Sequence, residues 1–223
     1  MKHAISILFA TFLLLSFNCR TLPPVEPSGA APTAALLVVA GPPELMGVRQ
    51  GADLIYLVKS QTGQDLVGKP IVKTTYNVKE RVYSLNCEPG TYTIIGFHMT
   101  VKSQAGTYMH NYFFDEPSAR KMTFKVEAGK LNIAGDFKPS FDVSISTKPD
   151  SLQSFAANAI APGTLGAEGV GKAILTGLLA GGGEVSHLTR VVSSDTSEGT
   201  MNTLKKSAAE DFAETKWSVL TGN

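Results

Sequence analysis

Three histidines lie beyond the N-terminal apolar run of this 223-residue chain: His98, His110 and His187. The first two fall on the arms of one predicted hairpin, residues 91–102 and 107–114. Strand side chains alternate between faces, so register decides which residues meet, and a one-residue slip reverses the answer. If the loop centres on Gln104, His98 stands opposite His110 and a metal pair is formed. If it centres between Gln104 and Ala105, the two histidines point to opposite faces. A protein metal site needs three or four ligands, and Asp115 and Glu116 lie too far along the strand to supply them by default. No metal and no cofactor is therefore expected. Tyr108, Tyr112 and Phe114 alternate on one face of the second arm, either as core or as an aromatic surface for a glycan or peptide. His98, His110, Tyr108 and Tyr112 are the candidate surface residues.

No catalytic motif accompanies them. The chain lacks G-x-S-x-G, H-E-x-x-H, C-x-x-C and a phosphate loop ending in Lys-Ser/Thr. Residues 166–173 (GAEGVGKA) come near the last of these, but Ala173 follows Lys172 where a hydroxyl would hold magnesium. The expectation is a protein that is not an enzyme. A net charge of +1 gives no basic face for nucleic acid. With 43% hydrophobic and 17% charged residues, the chain can build a packed core.

The two cysteines are Cys19 and Cys87. Cys19 ends the segment MKHAISILFATFLLLSFNC, with Lys2 and His3 as a short basic start and an apolar run from Ala4 to Phe17. As a helix, that run covers about 21 Å, short of the roughly 30 Å hydrocarbon core, so it suits a signal peptide better than a permanent span. Leu13-Leu14-Leu15-Ser16-Phe17-Asn18-Cys19 resembles a lipobox. Ser16 and Asn18 depart from the strict pattern, and the relaxed form is similar to that of spirochaete lipoproteins. The resemblance implies cleavage before Cys19 and lipidation of its thiol, with a cell-envelope location and the outer membrane favoured. Lipidation would leave Cys87 as a lone, buried thiol; a Cys19–Cys87 disulfide is the competing outcome. Residues 20–33 (RTLPPVEPSGAAPT) have the composition of an extended spacer.

These features must be carried by a body that the pattern predicts as mainly β. Apolar or alternating runs at 36–40, 54–59, 71–77, 81–85, 91–102, 107–114, 121–126, 130–137 and 141–146 are separated by turn residues. They predict an antiparallel β-sandwich of about seven to nine strands, with a C-terminal helical segment. Glu88-Pro89-Gly90-Thr91-Tyr92-Thr93-Ile94 resembles the P-G-x-Y hairpin start of transthyretin-like and carboxypeptidase-regulatory-like sandwiches. Residues 126–137 (VEAGKLNIAGDF) resemble a hairpin of small bacterial lipoproteins, with Glu127-Ala128-Gly129 as its loop. Both resemblances imply fold and compartment, and neither implies an activity.

The chain thus divides into a signal peptide (1–18), a lipidated cysteine and tether (19–33), a sandwich (34–148) and a Gly/Ala-rich segment with a C-terminal helix (149–223). Asp150 is placed to cap a helix over 151–160. Met201, Leu204, Ala208 and Phe212 mark the apolar face of a second, capped by Ser197 or Thr200, and Trp217 packs near its end. The functional expectation is a membrane-anchored envelope lipoprotein with a non-catalytic binding or structural sandwich and a protein or glycan partner. Two alternatives stand beside it. One is an envelope accessory protein with a metal or catalytic site near the His98/His110 hairpin. The other is a membrane-active segment over 156–183, where Gly177 and Gly181 have small-xxx-small spacing.

Overall fold

The computed structural model describes residues 23–41, 51–63, 65–103, 106–141, 148–166 and 182–222. Cys19 and the signal peptide, most of the expected strand at 141–146, and residues 167–181 of the Gly/Ala-rich segment lie outside them.

Among the described residues eleven strands form two sheets. They are β1 (Ala34–Val39), β2 (Leu54–Lys59), β3 (Ile71–Lys73), β4 (Tyr76–Val78), β5 (Arg81–Leu85), β6 (Gly90–Ser103), β7 (Gly106–Phe114), β8 (Thr123–Val126), β9 (Leu131–Pro139), β10 (Gly182–Thr189) and β11 (Val191–Asp195). The first sheet has the order β11-β9-β1-β5-β4. The second has the order β10-β7-β6-β2-β3, with β8 on the N-terminal part of β6. The helices among the described residues are α1 (Glu116–Lys121), α2 (Ser151–Ile160) and α3 (Glu198–Phe212), followed by a 3-10 turn at Lys216–Leu220.

The mainly β, two-sheet architecture with a C-terminal helix agrees with the sequence pattern. The strand count exceeds it for two reasons. The run at 71–77 splits where Thr74 and Thr75 carry the chain from one sheet to the other. The C-terminal segment adds β10 and β11, in a region where the glycine-rich composition signalled no strand. Pairing is also not wholly antiparallel, since β1 runs parallel to β9 and β7 runs parallel to β10. Parallel neighbours require a long crossover, and α2 lies in the one that joins β7 to β10.

The expected 126–137 hairpin is instead a corner between sheets. β8 pairs with β6, whereas β9 pairs with β1. Asn132 holds the corner closed: its amide donates to the carbonyls of Ala34, Glu127 and Lys130, and its Oδ1 accepts from Glu127 N. Gly129 takes φ +69° there, a conformation that glycine adopts without steric cost.

Every residue of β1 is buried, as befits a central strand covered on both faces. Ala35, Leu37 and Val39 belong to the main core with Ile55, Phe97 and Phe114. Ala34, Leu36 and Val38 belong to a second core with Tyr83, Phe212 and Trp217. Leu204, Ala208 and Phe212 recur at four-residue spacing, which places them on one side of α3 and turns that side to the sheet. Ser197 caps α3 by accepting from Thr200 N, and Asp150 caps α2 in a reciprocal box with Gln153. The last helix stops at Phe212, short of the expected continuous run, because Thr215 caps a separate turn that delivers Trp217 to the core.

Candidate functional site

The register of β6 and β7 separates the two hairpin histidines. His98 pairs with Asn111 and Met99 with His110, so His98 and His110 lie on opposite faces of the sheet. The two-histidine metal pair across this hairpin does not form. Each histidine has a different partner: His98 meets Asn111 of β7, itself bonded to Glu184 of β10, and His110 meets His187 of β10.

On the first face, His98 Nδ1 lies 3.1 Å from Asn111 Oδ1. The same oxygen accepts from the Tyr56 hydroxyl at 2.7 Å, and Asn111 Nδ2 donates to Glu184 Oε1 at 2.8 Å. Asn111 is fully buried. An amide oxygen can only accept, so His98 donates from Nδ1, while its Nε2 lies 3.4 Å from Thr100 Oγ1. Burial, then the nearby Glu184 carboxylate, pushes the Tyr56 phenol well above its ordinary range. Tyr56 therefore stays a neutral donor. The cluster ties β2, β6, β7 and β10 together through one amide.

On the opposite face, His110 Nδ1 lies 2.9 Å from His187 Nε2, and the rings stack with centroids 5.2 Å apart. One ring donates and the other accepts, so the accepting ring must be neutral. Burial, then the neighbouring His110, lowers His187 to about 4. Burial and then His98 lower His110. Tyr112 stacks on His187 at 4.7 Å and on Phe97 at 4.7 Å, with Phe141 edge-on. Tyr112 is thus a core residue, while Tyr108 remains half-buried beside Val101. Among the described residues no group of three or more His, Cys, Asp or Glu side chains converges on a point that could hold a metal ion.

Tyr56, Asn111 and Glu184 were not among the residues singled out by pattern, and His187 was named there without a partner. Glu184 and His187 reach the site only because β10 pairs with β7, from 77 residues away in the case of His110 and His187. No local signal marks that pairing.

A cavity of about 1070 Å³ opens where the chain crosses from β3 to β4. Lys59, Lys73, Thr75, Asn86, Cys87 and Tyr92 are among the residues that line it. Lys59 pairs with Glu88 at 2.7 Å and Lys69 with Asp65 at 2.7 Å. The Lys59 ammonium holds the Glu88 carboxyl below the usual carboxylate range. Cys87 is a free, half-buried thiol, reached by the Thr33 hydroxyl.

The proline-rich segment is attached to the body beside this cavity. Trp217 Nε1 donates to Val25 O at 2.9 Å, and Lys216 pairs with Glu26 at 2.7 Å. Asn86 Nδ2 donates to Glu26 O, and Asn86 Oδ1 accepts from Ser28 N. Asn86 adopts φ +54°, a left-handed conformation that asparagine tolerates better than most residues. The residues expected to act as spacer are therefore tied down from Val25 onward.

No helix among the described residues is long and apolar enough to cross a membrane. No family model, no curated protein and no solved structure matches the chain.

Proposed function

We propose that this chain is an envelope lipoprotein, held to the outer membrane by lipid on Cys19, whose sandwich is a non-catalytic binding or structural body. The observation that carries this reading is the arrangement around Cys19. An apolar run of signal-peptide length ends at Cys19, and only six residues later, at Val25, the chain is bonded to the folded body. A diacylglyceryl thioether with an N-acyl group supplies more than one chain, which is what stable anchoring takes. The Glu88–Ile94 turn, which resembles the hairpin start of transthyretin-like sandwiches, supports reading the body as one of that class. Its partners are the membrane, through the anchor, and a protein or glycan. A net charge of +1 argues against nucleic acid as the main partner.

Mass spectrometry of the N-terminal peptide, taken from protein made in its own envelope, tests the anchor. The expected peptide begins at Cys19 and carries the added mass of a diacylglycerol and an acyl chain. An unmodified Cys19 thiol, or a Cys19–Cys87 disulfide, overturns the reading.

A further inference from the structure

We infer that the cavity beside the docked N-terminal segment is a binding site for an acidic phospholipid of the membrane that carries the protein. The inference rests on the lipoprotein reading for the source of its ligand, and on geometry for the site.

The covalent chain sets the distance. Val25 lies six positions after Cys19, with five residues between them. Fully extended, that stretch spans at most roughly 20 Å. Val25 O is bonded to Trp217, and the adjacent Glu26 and Ser28 are bonded to Asn86. Asn86 itself lines the cavity. A lipid on Cys19 therefore keeps this end of the sandwich close to the bilayer, and the cavity is at that end.

The lining suits an amphiphile with one acidic group. Val72, Leu85 and Tyr92 offer apolar surface. Lys59, Lys69 and Lys73 supply ammonium groups. Two of these face carboxylates, Glu88 and Asp65, in pairs whose members are all more than a third exposed. Such surface pairs are weak and can exchange partners for a phosphate. The third, Lys73, sits 5.8 Å from the Tyr56 ring centroid. Of the three lysines, Lys73 is the one that faces no carboxylate partner among the described residues. The cavity is also at the upper end of the roughly 300–1,000 Å³ typical of small-molecule sites.

Cys87 provides a reporter, since it lines the cavity and is half-buried. The processed full-length protein, extracted in neutral detergent, is mixed with phosphatidylglycerol or with phosphatidylcholine, and maleimide labelling of Cys87 is timed. Native mass spectrometry counts bound lipid in parallel. The expected results are one phosphatidylglycerol per chain, slower labelling with phosphatidylglycerol than with phosphatidylcholine, and about fivefold to tenfold weaker binding in Lys73→Glu. Equal labelling with both lipids, or an adduct that Lys73→Glu leaves unchanged, overturns the inference. The labelling comparison uses the wild-type chain, so it decides the matter even if the variant fails to fold. Because lipid is added in the test, failure here is distinct from the finding of an unlipidated Cys19.

Discussion

His110 Nδ1 and His187 Nε2 lie 2.9 Å apart across the parallel pairing of β7 and β10. The contact joins two strands that only a long crossover brings together, and it holds only while the accepting ring is neutral. Protonation of both rings would break it and leave two cations stacked at 5.2 Å beside Tyr112.

This makes stability depend on pH below neutrality. An unfolded histidine titrates near 6.5, whereas folded His187 is lowered to about 4. Above pH 6.5 both states are neutral and the group adds no slope. Between about 6.5 and 4 the unfolded chain takes up the proton first, so stability falls as pH falls, by up to about 3 kcal/mol. Below 4 both states are protonated and the loss is complete. His187→Phe keeps a ring against Tyr112 and should flatten urea midpoints measured between pH 7 and 5, a window in which ordinary carboxylates remain ionised. An unchanged slope in the variant would show that the pair is not the titrating element.

Asn111 is the shared partner of Tyr56, His98 and Glu184. Asn111→Leu preserves bulk but removes both the acceptor and the donor. It should cost about 2–4 kcal/mol, because the buried Tyr56 hydroxyl is left without its partner. Tyr56→Phe alone should cost about 1 kcal/mol. The double variant should lose less than the sum, since each change removes the other's unsatisfied group. Chemical denaturation of the four proteins gives the cycle, and strict additivity would contradict the network.

Arg81 holds α3 to the first sheet through two hydrogen bonds to Asp211, at 2.6 and 2.7 Å, with the Tyr83 hydroxyl also donating to Asp211. Asp211 is buried, whereas the Arg81 side chain is 20% exposed. Asp211→Ala leaves a guanidinium and a phenol without their acceptor. Because water reaches part of Arg81, the expected loss is about 3 kcal/mol, the lower end for a broken buried pair. Arg81→Met combined with Asp211→Leu should recover much of it. Thermal unfolding of the single and double variants checks this; a double variant no better than Asp211→Ala would indicate that shape at this contact matters more than charge.

Much of the body is written in local pattern. The alternation in Thr91–Lys102 and the turn at Glu88-Pro89-Gly90 are strong enough to place β6, and Asp150 and Ser197 mark two helix starts. Each depends on residues within a few positions of one another, where side-chain period and capping act directly. The expected register ambiguity between His98 and His110 was real, because alternation alone is compatible with either pairing.

What the sequence by itself determines is thus the mainly β class, the C-terminal helix and most strand positions, together with the expectation that Cys19 is an anchor. The tertiary structure decided which strands are neighbours. It set the His98–Asn111 register, turned residues 126–137 from a hairpin into a corner, and brought Glu184 and His187 to Asn111 and His110. It also bonded Val25 and Glu26 to Trp217 and Asn86. The physical reason is range. Periodicity and capping are properties of adjacent residues, whereas strand order is set by which faces the whole chain can bury together. A contact between positions 110 and 187 leaves no trace in the residues beside either one.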